Sequence, residues 1–411
     1  MGSTVDYTRN ANRLAFILLL CLFVASYFEY FFRGISMSFW FILFPLAVIT
    51  VSRIRVAFRS NGIQTIYIFI IGTFLVCLFQ SFTSLPVNIN YSLGQVLLLS
   101  CFLLLAIATK ESLLEKLVFL MTIIATYSII IYALCSFFQP IKDYLLNEVS
   151  YRFPSIGVEN AIQEGGGINF VIYNFQQVSE FAAFFRNCGP FWEPGMFAVF
   201  LDLALFVNIF ILHGKRFVNF ILIVALLTTM STGGYVCGLF ILFAYAMLER
   251  RNVFISLLSI ILFVIFTYYF FETDFLGDKL LYQMTNATLG DDTSRFGALK
   301  THFKMFIDNP LWGYYGIEGY VVDDRRVLAS GLLIPLSSRG FFVGGLYYYL
   351  LYKASVNYSL YYSQSKRTGV FLFVFILLLS ISQTILLTSC IYVFIYAGLL
   401  LKQNSKRYAT V

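Results

Sequence analysis

Long apolar stretches follow one another along the chain, at residues 14–32, 35–51, 63–82, 93–109, 117–138, 195–212, 217–230, 235–248, 253–271, 333–352, 370–386 and 388–401. Their apolar positions are continuous and do not alternate with polar ones, which predicts helices and excludes the strands of a barrel. A run of about 20 such residues matches the hydrocarbon thickness of a bilayer, where a helix satisfies its own backbone polar groups. The pattern therefore predicts an all-α, polytopic integral membrane protein with about twelve transmembrane helices. Two divisions rest on local signals: Ser231-Thr232-Gly233-Gly234 splits 217–248, and 370–401 is too long for one straight span. The first stretch lacks a small-residue cleavage pattern and is followed at once by another span, so it is expected to be retained.

Lys and Arg gather in alternate connections. Arg9 and Arg13 precede the first span, and Arg53/Arg55/Arg59, Lys110/Lys116, Lys215/Arg216, Arg250/Arg251, Lys353/Lys366/Arg367 and Lys402/Lys406/Arg407 follow at later ones. The positive-inside rule makes these connections, and both the N- and C-termini, cytoplasmic. Residues 1–411 then form a single membrane domain with two large loops on the outer face, 139–194 and 272–332. Most of the acidic residues fall in these loops, and their length marks them as functional surface.

Composition narrows the class further. Hydrophobic residues make up 59% of the 411 and charged ones 12%, a balance no soluble domain of this length shows. The net charge of +7 comes mainly from the inner connections and does not point to nucleic acid. Cys188 is the one cysteine in an outer loop, so no intramolecular disulfide and no metal-ligand spacing is expected. Walker A, GxGxxG and HExxH patterns are absent, so no cofactor is expected.

Chemistry concentrates in the loops. Arg186-Asn187-Cys188-Gly189-Pro190-Phe191-Trp192-Glu193-Pro194-Gly195 places an Arg and a Glu around a Gly-Pro turn beside a span, where a low dielectric strengthens contacts to a polar substrate. The alternative is that Arg186 and Trp192 anchor the interface while Pro and Gly shape a helix start. In the second loop, Arg295 to Asp308 predicts an amphipathic helix with Phe296, Leu299, Phe303 and Phe306 as its apolar stripe and Lys300 and Lys304 flanking it, lying along the bilayer surface. Gln176 to Arg186 gives a weaker version of that signal. Arg295 and His302 share one side of the helix, and Asn309-Pro310-Leu311-Trp312-Gly313-Tyr314-Tyr315-Gly316 follows, a stretch that allows backbone to approach a ligand closely. Glu29, Asp202 and Arg339 are ionisable residues within spans, a costly placement. Arg339 follows Ser337-Ser338 and precedes Gly340, Gly344 and Gly345, small residues that permit close packing.

These motifs resemble the bacterial O-antigen polymerases and, more distantly, the O-antigen ligases. The resemblance rests on the Arg186–Pro194 run, the Ser231-Thr232-Gly233-Gly234 break, Arg295 followed by Pro310 and Gly313, and the Gly-rich span opening Ser338-Arg339-Gly340. The ligases carry a histidine just before the span after their large loop, where this chain has Ser330-Gly331-Leu332, which favours polymerase over ligase. Family members often have an Arg where Thr232 stands.

What the resemblance implies is a membrane glycosyltransferase, similar to the GT-C type, in the bacterial inner membrane. It would transfer a growing undecaprenyl-diphosphate-linked glycan onto an incoming lipid-linked repeat unit, without a metal. The expected partners are undecaprenyl-diphosphate-linked oligosaccharides, membrane lipid and a chain-length regulator. Arg186, Arg295 and Arg339 are expected on the diphosphates, since a planar, always-charged guanidinium suits that leaving group. Glu193 is the first candidate for general base, unless it orients Arg186, and His302 is the second. Trp192, Trp312 and Tyr314 are expected to stack on sugars. A ligase, or a lipid-linked oligosaccharide flippase with pseudo-symmetric halves, are the alternatives.

Overall fold

The computed structural model describes residues 61–83, 89–145, 168–170, 173–176, 186–250, 295–314 and 330–401, with a few isolated positions besides. The described residues divide into two compact units. The first takes in residues 61–113, 295–314 and 330–401, and the second takes in 114–250.

The first unit contains α1 (Asn61–Thr83), α2 (Ile89–Thr109), α8 (Arg295–Asp308), α9 (Ile334–Tyr361), α10 (Lys366–Ser382) and α11 (Ser389–Leu400). The second contains α3 (Leu113–Phe137), the short α4 (Gln139–Tyr144), α5 (Pro194–Phe206), α6 (Arg216–Thr228) and α7 (Thr232–Tyr245). A turn of wider helix extends α5 over Val207–Ile211.

Five stretches among the described residues are long and apolar enough to cross a membrane: Gly62–Thr83, Ser92–Thr109, Leu113–Phe137, Pro194–Ile211 and Thr232–Glu249. The expected break at Ser231 is present: Ser231 ends the connection and caps α7 by accepting the Gly234 amide at 3.3 Å. The apolar runs 14–32, 35–51 and 253–271 and most of the two long loops lie outside the described residues, apart from isolated positions.

Polar side chains within the spans turn back on their own helices. Thr73 donates to the Phe69 carbonyl at 2.9 Å and Ser81 to that of Cys77 at 2.8 Å, so these two hydroxyls are satisfied in apolar surroundings. The interior of the first unit is aromatic. Phe102 stacks on Tyr392 at 5.5 Å, and Phe69, Tyr347 and Tyr392 meet at 5.7 to 6.3 Å. The opposite side of α1 exposes Ile68, Ile71, Leu75, Phe79 and Phe82, an inside-out arrangement that suits lipid.

The all-α expectation is corrected in the second unit by a three-stranded antiparallel sheet, β1 (Ile168–Phe170), β2 (Tyr173–Gln176) and β3 (Arg186–Asn187), in the order β1-β2-β3. Gln176 and Arg186, the two ends of the weaker expected helix, face one another as a strand pair, and Phe175 pairs with Asn187. β2 buries Tyr173 against Cys135 of α3. The ends of that segment find ladder partners, and the residues between them lie outside the described ones.

Candidate functional site

Each unit brings two separate sequence motifs together. In the second unit they are the Arg186–Pro194 run and the break between α6 and α7. Arg186 Nε donates to the Thr229 carbonyl at 3.2 Å, and Asn187 Nδ2 donates to the Thr228 hydroxyl at 2.8 Å. The first bond satisfies a backbone carbonyl at the end of α6, and the Thr228 hydroxyl in turn donates to the Ala225 carbonyl at 2.7 Å. Gly189, at φ 53°, turns the chain, and its amide donates to Asn187 Oδ1 at 3.0 Å. Asn174 of β2 brackets the run: its amide donates to the Gly189 carbonyl at 2.7 Å, and Nδ2 to those of Phe191 and Trp192 at 3.2 and 3.0 Å. Phe191 is buried in a stack with Phe197 and Phe200 of α5.

Glu193 stands in extended conformation at the start of α5, with Pro194 in the first turn, and its backbone carbonyl accepts the Phe197 amide. Its side chain caps nothing and makes no ion pair among the described residues. Arg186 and Glu193 nonetheless feel one another. Burial pushes the Arg186 guanidinium down from its ordinary range, and Cys188, Glu193 and Tyr235 oppose that shift. Arg186, Trp192 and Glu193 are all partly exposed. Cys188, the one cysteine of the outer loops, is fully buried.

In the first unit, the turn after α8 docks on a break in α9. Gly340 leaves helical geometry at φ 69°, ψ −179°. In an unbroken helix the Ser337 carbonyl and the Phe341 amide would pair with one another. Instead Ser337 accepts from the Tyr314 amide at 2.9 Å, and Phe341 donates to the Pro310 carbonyl at 2.7 Å. Gln80 of α1 completes the exchange, with Nε2 donating to the carbonyls of Trp312 and Ser338 at 2.7 and 2.8 Å. The backbone groups opened by the kink are thus satisfied by the docked turn. Gly313, at φ 68°, and Gly340 permit the contact: a Cβ on Gly340 would stand 2.0 Å from the Leu311 carbonyl oxygen.

The other expected site residues of this unit lie around that joint. The Arg339 guanidinium is buried, hydrogen-bonded to the Tyr392 hydroxyl and set over the rings of Phe69 and Tyr392 at 5.9 and 5.4 Å. Trp312 stacks on Phe79 with ring centroids 4.3 Å apart. Tyr314 and Arg295, the first residue of α8, are partly exposed. His302 is 0% exposed, with Nδ1 at 3.0 Å from the Ser337 hydroxyl. Ser337 Oγ also lies 3.3 Å from the Ile334 carbonyl, to which it donates. That assigns the Nδ1 hydrogen to His302 and leaves Nε2 as a bare acceptor without a partner among the described residues. Burial pushes the imidazole down to about 4.

Sequence analysis missed Asn174, Asn187, Gln80 and Ser337, which hold the two motif pairs in place. Of these, Gln80 carried a visible signal, an amide inside an apolar span. Asp202 of α5 is fully buried beside Gly238 of α7, and both carboxyl oxygens lack a hydrogen-bond partner among the described residues. No three His, Cys, Asp or Glu side chains among the described residues cluster as a metal site requires.

Residues 217–330 match a family model described as O-Antigen ligase. Over this segment the chain is similar to that family. No curated protein and no solved structure matches the chain. The matched segment opens within α6, includes the Ser231 break, α7 and α8, and ends at Ser330 before α9. Arg295, His302, Trp312 and Tyr314 therefore lie inside it, whereas Arg186, Trp192, Glu193 and Arg339 lie outside.

Proposed function

We propose that this protein is a surface-polysaccharide polymerase of the inner membrane, which transfers a growing undecaprenyl-diphosphate-linked glycan onto the sugar of an incoming lipid-linked repeat unit. The observation that carries the proposal is the joint between the Arg186–Pro194 run and the α6–α7 break. Only Nε of Arg186 is engaged among the described residues, which leaves its Nη donors to meet a diphosphate in bidentate fashion. Glu193, which makes no ion pair among the described residues and stands at a helix start, is available to accept the proton of the attacking sugar hydroxyl as the glycosidic bond forms. The bond to the diphosphate breaks in the same transfer, and the arginines stabilise the charge that develops on it. Arg295 is a further candidate for diphosphate contact, and Trp192, Trp312 and Tyr314 are candidates for sugar rings. Arg339, over its aromatic partners, supplies positive charge beside the α9 break. A chain-length regulator is the further partner that a polymerase implies.

The ligase reading has one observation in its favour, the description of the matching family model. Arg186→Ala and Arg295→Ala separate the two. Loss of one charge-assisted donor from a transition state costs about 2–4 kcal/mol, or roughly a hundred- to a thousandfold in rate. For a polymerase, both variants leave protein in the membrane and yield cells that display single repeat units on the lipid core, and Arg→Lys rescues poorly because the planar fork is lost. Loss of single units as well points to the ligase. Wild-type polymer lengths in both alanine variants, at normal protein levels, would return the arginines to interfacial anchoring.

A further inference from the structure

α8 is inverted relative to a helix on a water-facing surface. Its buried face carries Ala298, Thr301, His302 and Met305, so the histidine and threonine point inward. The outward face carries Phe303, Ile307 and, in the turn beyond, Leu311, which are 56%, 57% and 52% exposed. Four-residue spacing sets Phe303 and Ile307 along one ridge, and Leu311 follows in the turn after the helix. The apolar stripe expected from the sequence thus contributes Phe303 to the outside, while the contact with α9 is made through His302. Left in water, each of these side chains would forgo the stabilisation that burial of its apolar surface brings.

The ridge is continuous with surface already fitted to lipid. Trp312, at its end, stacks on Phe79 of α1, and Phe79 and Phe82 belong to the exposed apolar side of that span. Phe341 and Phe342, next to the α9 break, are exposed as well. Lys300 and Lys304 are exposed on the same helix, so the apolar ridge has a cationic border. A ridge of this kind matches the acyl boundary of a bilayer, and its border matches lipid phosphate.

We infer that α8 is a bilayer-docking surface for anionic phospholipid, with acyl chains against Phe303, Ile307 and Leu311 and lipid phosphates at Lys300 and Lys304. The inference is independent of the reaction proposed above. It places the joint between the Pro310–Gly313 turn and the α9 break at headgroup depth.

Trp312 is a built-in probe. The full-length protein with Trp40→Phe and Trp192→Phe retains it as the sole tryptophan of three, through aromatic-for-aromatic changes alone. The protein is reconstituted in nanodiscs of phosphatidylcholine and phosphatidylglycerol, brominated either near the headgroup end of the chain or near its methyl end. The expected result is stronger quenching by the shallow bromine than by the deep one, and stronger quenching by brominated phosphatidylglycerol than by brominated phosphatidylcholine. Lys300→Gln with Lys304→Gln removes the second difference and keeps the first. Quenching of Trp312 by aqueous acrylamide, with none by either bromine, overturns the docking surface. Absence of quenching by all three quenchers, with cross-links between copies at an engineered cysteine replacing Ile307, assigns the ridge to a second copy and also overturns it. Bromine quenching that is relieved by added polyprenyl diphosphate assigns the ridge to a substrate tail instead of bulk lipid. Equal quenching by the two brominated lipids in the sole-tryptophan protein removes the phosphate contact.

Discussion

Gln80 connects three segments through one amide group, since its Nε2 serves the carbonyls of both Trp312 and Ser338. Gln80→Leu preserves much of the side-chain volume and leaves both carbonyls without that donor. Each unsatisfied buried group costs about 1–3 kcal/mol, so the melting midpoint of the detergent-solubilised protein is expected to fall by several degrees; an unchanged midpoint would show that the amide is dispensable. His302 gives a pH signature of a different kind. Its imidazole is held at about 4 in the folded protein, below the ordinary value of about 6.5. The unfolded chain therefore binds the proton first. Stability is unaffected by this group above about pH 6.5, falls as pH drops from there to about 4, and loses on the order of 3 kcal/mol below both values. Comparison of wild type with His302→Gln by thermal melts across that range tests this, the variant being expected to show the shallower decline. Parallel curves would mean that the imidazole accepts its proton without penalty.

Close approach decides the element scale. α5 is buried along its whole length from Pro194 to Phe206, and α7 reaches it because Gly234 has no side chain: a Cβ there would stand 2.6 Å from the Ala198 Cβ. Gly234→Ala should overpack the crossing by about 1–3 kcal/mol, visible as a lowered melting midpoint. Ala198→Gly in the same chain should recover part of the loss, because it removes the atom that clashes. A double variant no better than the sum of the singles would separate the two positions energetically. The same crossing carries Asp202 beside Gly238, so any disturbance here also alters the surroundings of a buried carboxyl. The α8–α9 joint obeys the same rule, with Gly313 and Gly340 admitting backbone against backbone.

For the whole molecule, the charge pattern of the connections predicts that residues 139–194 and 272–332 face away from the cytoplasm. Cys188 cannot report this, being buried. Cysteines introduced near 160 and 323 in a Cys188→Ser background should react with a membrane-impermeant maleimide in cells whose outer membrane has been opened, before the inner membrane is breached. Reaction only after the inner membrane is opened would invert the topology. The sequence by itself determined the mostly helical, apolar class, the helix boundaries of α1 to α3 and α5 to α7 to within a few residues, and the break at Ser231, because burial in lipid leaves long apolar runs and polar breaks that are local along the chain. It also singled out Arg186, Glu193, Arg295, His302 and Arg339 as chemically costly or unusual residues. Only the tertiary structure decided that Arg186 meets the α6–α7 break, that His302 turns inward to Ser337, and that Gln80 closes the joint at Gly340. Those contacts join residues far apart in sequence, and their energy lies in backbone groups freed by turns and kinks, which have no periodicity to read. The strands at Gln176 and Arg186 belong with them, since a ladder exists only once its partner strand is in place.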